Sequence, residues 1–297
     1  MRVFVTGASG FVGSAVVKEL LGAGHEVLGL VRSDKGAEQL ASTSAEVYHG
    51  DVNDLKFIQK GAAACDAVIH TAFNHDFSQY KANCEADRKV VEALGAALTG
   101  TNRPLVITSG VGLLNYGRLV TEDDMVPATS DVIARAASEE AAAVVAATGV
   151  KVYIVRLPIV HGEGDNGFVP IVINMAKEKG ESAYIGEGNN RWPAVHRSDT
   201  AALYRLIVEK QPELSVIHAV DEQGIAFRDI AETIGKGLNL PVLSKTGDEA
   251  AAHFGWFLHF AAMNCRASSE KTRAALNWQP KASGLITDIA VAGYLRK

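Results

Sequence analysis

Short apolar runs alternate with stretches of helical period through the first half of the chain. The run "RVFVTG" (2–7) reads as a buried strand, after which Phe11, Val12, Ala15, Val16 and Leu20 recur along one helical face. "GHEVLGLVR" (24–32), "AEVYHGD" (45–51), "DAVIHTA" (66–72) and "PLVITSG" (104–110) repeat the strand signal, the last after a helix around Glu85 to Leu98. An Ala-rich pattern predicts a helix from about Val132 to Thr148, ahead of the strand "VKVYIVRLP" (150–158). Strands and helices alternating at this interval predict an α/β fold, a Rossmann-type, doubly wound parallel sheet.

The pattern loosens after Pro158. "HGEGDNGF" (161–168) is a turn-rich loop, "VPIVINMAKEKG" (169–180) a helix stopped by Gly180, and "SAYIGEGNNRW" (182–192) reads as extended. "DTAALYRLIVEK" (199–210) and "SVIHAV" (215–220) return to helix and buried strand, and "FRDIAETIGKGL" (227–238) adds a further helix. The expected organisation is a dinucleotide-binding domain over 1–160, to which 191–222 returns. A smaller, non-contiguous substrate-binding part would comprise 161–190 and 223–297.

Composition narrows the partners. Twenty-nine basic against 34 acidic residues give a net charge of −5, with no basic run to attract nucleic acid. Apolar runs are too short and interrupted for a membrane span. The chain opens directly on a strand, which leaves no room for a signal peptide. Cys65, Cys84 and Cys265 are odd in number and far apart, which argues against a disulfide framework and for a reducing, cytoplasmic setting. The nine histidines and three cysteines lack metal-ligand spacing, so no metal is expected. A small-molecule substrate is the expected partner, and a homodimer is compatible with this chain.

The candidate chemistry begins at "VTGASGFVGS" (5–14). Gly7 suits a tight turn, Gly10 lets the backbone approach a diphosphate, and Gly13 lets helix and strand pack closely. Ser9, Phe11 and Val12 complete the loop, and a diphosphate would sit at the N-terminus of the helix that follows. A carboxylate at the end of the second strand normally selects NAD, whereas a basic residue accommodates a 2′-phosphate. Here Arg32 and Ser33 occupy that position, with Asp34 only later in the loop. NADP(H) is therefore favoured, and NAD(H) stays open.

With these residues in view, the chain resembles the short-chain dehydrogenase/reductase superfamily, closest to its extended and atypical groups of epimerase/dehydratase type. "TGASGFVG" is similar to the extended glycine motif. The resemblance implies that Asp51 and Val52 of "GDVND" flank the adenine and that Thr71, Ala72 and Phe73 of "HTAF" pass the cofactor ribose. "VRLPIVHGEG" resembles an Arg-Pro-x-x-x-Tyr-Gly segment, which brings Pro158 to the cofactor and His161 to the tyrosine position. "AVHRSDTAAL" and "SSEKTRAALNWQP" resemble further segments of the extended group.

Most members of that superfamily carry Tyr-x-x-x-Lys on a helix. Here the corresponding positions fall at about Arg135 and at Glu139, in "ARAASEEAA", so the pair is missing. Arginine stays protonated and cannot act as a general acid near neutral pH, although it can donate hydrogen bonds to a developing oxyanion. Glu139 would accept from ribose hydroxyls or pair with Arg135 in an exposed i, i+4 contact. Ser109 lies at or one residue before the superfamily's catalytic serine position. His75 follows the ribose-passing loop with a pKa suited to proton transfer. The catalytic candidates are Ser109, His75 and Arg135, with Tyr116, Tyr184, His161 and His196 as further polar groups. Phe168, Trp192, Phe254, Trp256 and Phe257 suggest an apolar pocket in the smaller part.

The resemblance and these residues predict an NAD(P)-dependent oxidoreductase, an NADPH-dependent reductase of a small aldehyde or ketone. The alternatives are a non-catalytic NAD(P)-binding sensor, or a nucleotide-sugar epimerase or dehydratase.

Overall fold

A computed structural model describes residues 1–291 and 293–295. Its strands are β1 (Arg2–Thr6), β2 (Glu26–Val31), β3 (Glu46–His49), β4 (Ala67–His70), β5 (Leu105–Gly110), β6 (Leu119–Val120) and β7 (Val152–Leu157), followed by β8 (Ile159–His161), β9 (Ser182–Ile185), β10 (Arg191–His196), β11 (Val216–His218), β12 (Glu222–Ala226), β13 (Val242–Lys245) and β14 (Arg266–Ala267). The helices are α1 (Phe11–Gly22), α2 (Asp34–Ala41), α3 (Leu55–Ala63), α4 (Tyr80–Leu98), α5 (Ala137–Ala147) and α6 (Phe168–Lys179), then α7 (Arg197–Lys210), α8 (Phe227–Leu238), α9 (Gly247–Phe254), α10 (Leu258–Ala261), α11 (Glu270–Leu276) and α12 (Leu285–Val291).

Seven strands form one parallel sheet in the order β11-β7-β5-β4-β1-β2-β3. Because side chains alternate along a strand, β1 feeds two cores. Val3 and Val5 join Val16, Leu20, Tyr204 and Ile207 beneath α1 and α7, while Phe4 joins Ile58, Val90, Leu94 and Val145 beneath α3, α4 and α5. The chain winds outward from β1 through β2 to β3, then crosses back to β4. The strand order therefore reverses between β1 and β4, and the crevice beyond their carboxyl ends is where such sheets bind ligands.

Pro158 has no N–H to continue the ladder, and the chain leaves the sheet there. The next segment, β8, pairs with β10, and β10 with β12, in a separate three-stranded sheet. The segment 191–222 thus divides: β10 belongs to this small sheet, whereas α7 packs on α1 and β11 extends the main sheet. A third core around Trp192, Phe227, Phe254 and Phe257 fills the smaller part.

The helix expected from Val132 starts only at Ala137. Ser130 donates its N–H (2.7 Å) and its hydroxyl (2.8 Å) to Glu140, which folds the preceding chain back onto the first turn of α5 instead of extending it. A 3-10 turn at Ala134–Ala136 bridges the two.

Candidate active site

The glycine-loop end of the crevice is made of backbone. Gly7 sits at φ +68°, and a Cβ there would lie 2.8 Å from the Ala72 nitrogen. A Cβ on Gly13 would meet the Gly7 oxygen at 2.1 Å and Thr71 Oγ1 at 2.8 Å. Gly10 precedes α1 in extended conformation with no side-chain cap, so the first amides of that helix are left for a ligand. Thr71 ties the two central strands together by donating its hydroxyl to the Thr6 oxygen at 2.7 Å. This cradle, which side chains would fill, fits a dinucleotide diphosphate, and it would be held by Gly7, Ser9, Gly10, Phe11, Val12 and Gly13.

At the end of β2, Arg32 and Ser33 are exposed, and the Ser33 hydroxyl accepts the Gly36 N–H at 3.1 Å to cap α2. Arg32 has no carboxylate within salt-bridge distance among the described residues. After β3, Asp51 accepts from the backbone and side chain of Asn53 at 2.8 and 2.9 Å, fixing the turn that carries Val52. Thr71, Ala72 and Phe73 follow β4, and Pro158 follows β7, on the same edge of the sheet.

The opposite end of the crevice is made of paired side chains. Arg135 and Glu139 do not pair with each other, as the exposed i, i+4 reading had it; each is drawn into a separate, largely buried network. Glu139 takes a two-pronged contact from the buried Arg156, at 2.9 Å from Nε and 2.7 Å from Nη2. Ser109 donates its hydroxyl to Glu139 Oε1 at 2.6 Å. Arg156 spends its remaining reach on the Asp124 oxygen at 2.7 Å.

Arg135 donates to Asp87 Oδ2 at 2.9 Å, to the Ser138 hydroxyl, and to the Thr108 oxygen at 2.8 Å. Its guanidinium carbon lies 4.3 Å above the Phe73 ring. Asp87 also contacts His70 at 2.9 Å, and His70 reaches Thr6 at 2.7 Å, so a buried polar chain runs from β1 to Arg135. Burial alone would raise the Asp87 carboxyl; the adjacent His70 and Arg135 charges outweigh it and hold the group below its usual range.

His75 lies exposed at the mouth, in edge contact with Phe73 at 5.1 Å between ring centres. Desolvation by the surrounding walls and the charge of Arg135 push its pKa below the usual histidine value. Burial raises the nearby Tyr80 hydroxyl to about 12. Phe77, from the same loop, meets Trp256 (5.5 Å), Phe260 (5.3 Å) and Phe168 (6.3 Å) of the smaller part, forming an aromatic wall across the cleft.

The other polar candidates are engaged elsewhere. Tyr116 donates to the Met125 oxygen at 2.8 Å, and Tyr184 accepts from Arg228 at 2.9 Å. His161 is buried against Asp288 at 2.8 Å, and its ring meets that of His196 edge-on. Sequence reasoning missed Asp87, His70 and Arg156. Arg156 carried a signal, a lone arginine inside the otherwise apolar strand "VYIVRL"; Asp87 carried none, being one acid among several on a long helix.

A family model described as "NAD dependent epimerase/dehydratase family" matches residues 3–218. An uncharacterized protein of Schizosaccharomyces pombe is 49% identical over 296 residues, 99% of this chain and 100% of its own. One from Saccharomyces cerevisiae is 47% identical over 97% of this chain and 98% of its own. A ketoreductase of Stigmatella aurantiaca, acting on a farnesylated dihydroquinoline oxide, is 25% identical over 86% of this chain and 80% of its own. Among solved structures, UDP-glucose 4-epimerase of Thermotoga maritima superposes with a TM-score of 0.78 at 19% identity, covering 100% of this chain and 99% of its own.

Proposed function

The chain belongs to the NAD dependent epimerase/dehydratase family, whose chemistry uses a nicotinamide dinucleotide, and from that premise we propose that it reduces small, apolar aldehydes or ketones, preferring NADPH. The observation that carries this reading is the aromatic wall. Phe77 from the nucleotide half meets Phe168, Trp256 and Phe260 across the cleft, which favours an uncharged substrate with apolar substituents over a sugar nucleotide. The ketoreductase relative supports the same direction.

When bound, the reduced nicotinamide supplies the hydride. The chain's own residues then have to bind the carbonyl, orient it and supply a proton. Arg135 is assigned as the hydrogen-bond donor to the carbonyl oxygen. Three of its five N–H groups are committed to Asp87, Ser138 and Thr108, which fixes the fork, and the remaining N–H groups can serve the substrate. Ser109 is assigned a place beside that oxygen, although its hydrogen already goes to Glu139, so turning it toward substrate costs one bond. His75 is assigned the proton relay between the cleft and bulk water, as an imidazole open to solvent whose pKa lies below the usual histidine value. The NADPH preference rests on Arg32, an exposed guanidinium that has no carboxylate within salt-bridge distance among the described residues, at the strand end that selects the ribose substituent.

A second reading, a dinucleotide-binding sensor, draws on the Ser109–Glu139–Arg156 cluster, which ties the Ser109 hydroxyl and the Glu139 carboxylate into a largely buried ion pair. The test is a panel of small aliphatic and aromatic aldehydes and ketones offered to the purified protein with NADPH and with NADH. Carbonyl-dependent oxidation, faster with NADPH, is expected. Tight dinucleotide binding with no oxidation across the panel would replace the reductase by the sensor.

A further inference from the structure

Arg197, the first residue of α7, reaches across to the glycine-loop helix. Its Nη2 donates to Ser14 Oγ at 3.0 Å, its guanidinium carbon lies 4.7 Å over the Phe11 ring, and its Nη1 donates to the Glu163 oxygen at 2.5 Å. It thus bridges α1, in its first turns, and the loop after β8. No carboxylate comes within salt-bridge distance of it among the described residues. The acids of the adjoining loop lie farther off: Glu163 is exposed, and Asp165 takes the Tyr294 hydroxyl at 2.8 Å.

The electrostatics of this arrangement are unfavourable as it stands. Arg197 begins one helix and leans on the first turns of another, and both helix ends carry partial positive charge. The side chain is half-buried, and burial lowers its pKa from the usual arginine value. The uncapped α1 N-terminus and a guanidinium with no carboxylate within salt-bridge distance among the described residues meet beside the backbone cradle. An anion there would satisfy both at once.

We propose that Arg197 binds the diphosphate of the nicotinamide dinucleotide, reaching it from beside the first turns of α1. This rests on the cofactor reading above. Ser14 and Glu163 hold the guanidinium within reach of the α1 N-terminus, and the loop after β8 is thereby tied to cofactor occupancy. The same chemistry would also suit the diphosphate of a nucleotide substrate, so the probes must separate the two.

The test compares Arg197→Gln and Arg197→Lys with the natural chain, using calorimetric titration of NADPH, ADP-ribose and UDP, and thermal unfolding with and without each. For Arg197→Gln, the Kd for NADPH and ADP-ribose should rise together, by tenfold or more, with a weaker dependence on salt. Its ligand-free Tm should hold or increase, since an uncompensated charge is removed. Arg197→Lys should recover part of the affinity, keeping the charge but not the fork. ADP-ribose affinity within twofold of the natural chain in Arg197→Gln would overturn the proposal, as would a loss confined to UDP. Lowered ligand-free Tm with unchanged ligand-induced shifts would reduce Arg197 to a structural role and overturn it as well. If the natural chain itself binds neither NADPH nor ADP-ribose, the cofactor reading fails, and that result is distinct from all of these.

Discussion

At the glycine-loop end of the cleft, the structure is set by what is missing: Gly7, Gly10 and Gly13 leave room that any Cβ would take, and no side chain caps α1. At the Arg135–Glu139 end it is set by what has been added. Glu139 and Arg135 are charged side chains turned into the protein there, and each has recruited a buried partner, Arg156 in one case and Asp87 in the other. A backbone cradle has few chemical solutions, so it keeps its pattern. A hydrogen-bonding corner has many, provided every buried charge finds a counter-charge. The two ends should therefore respond differently to substitution, one through ligand binding and the other through stability.

The largest effect is expected at the added end. Arg156→Leu leaves Glu139 enclosed with only Ser109 for support, and should cost about 3–5 kcal/mol of unfolding free energy, read by urea denaturation. Adding Glu139→Leu should return much of that loss, because the pair then leaves together. A single variant as stable as the natural chain would show that the ion pair is not what holds this corner, and would erase the contrast.

The glycine-loop end should behave in the opposite way. A Cβ on Gly10 would stand 3.2 Å from the Gly7 oxygen, tight but tolerable, so Gly10→Val should fold. Its bulk denies the diphosphate the α1 amides, and losing two charge-assisted hydrogen bonds at about 1.5 kcal/mol each predicts a dinucleotide Kd raised by about a hundredfold. Calorimetry showing unchanged affinity would remove the cradle from the cofactor site.

This difference also explains what could be read from the chain alone. The parallel sheet was legible because strand and helix periods differ sharply and their alternation admits few topologies. The glycine loop was legible because positive φ at Gly7 and the 2.1 Å approach at Gly13 exclude other residues. The corner was only half legible. "ARAASEEAA" drew attention to Arg135 and Glu139, but these find their partners 48 residues before and 17 residues after them. No local pattern encodes a pairing across that distance. The start of α5 was misplaced for the same reason, since the Ser130 to Glu140 contacts that set it are tertiary.

Ser109 links the two kinds of behaviour. Its hydroxyl supports Glu139, so Ser109→Ala should cost about 1 kcal/mol of stability. If it also turns toward the substrate oxygen, kcat should fall by about tenfold with little change in cofactor affinity, less than the loss usual for a dedicated donor. Steady-state kinetics beside NADPH titration separates these effects, and a fall in affinity alone would move Ser109 to the binding end.

The smallest effect is a change of shape in the pH profile. Desolvation and the Arg135 charge lower the His75 pKa, so the imidazole is largely neutral at pH 7 and gains its proton only below the usual value of about 6.5. As the acid feeding a proton to the reduced carbonyl, it should make the reduction rate fall as pH rises through that depressed pKa. His75→Ala should flatten this limb while leaving the plateau reached at higher pH. The stability sign is fixed by the same shift. Between the folded and unfolded pKa values the unfolded chain binds the proton more tightly, so His75 costs stability as pH falls through that window, and His75→Ala should be less acid-sensitive. Identical pH–rate profiles for the two proteins would take the relay away from His75 and leave the proton to solvent entering beneath the aromatic wall.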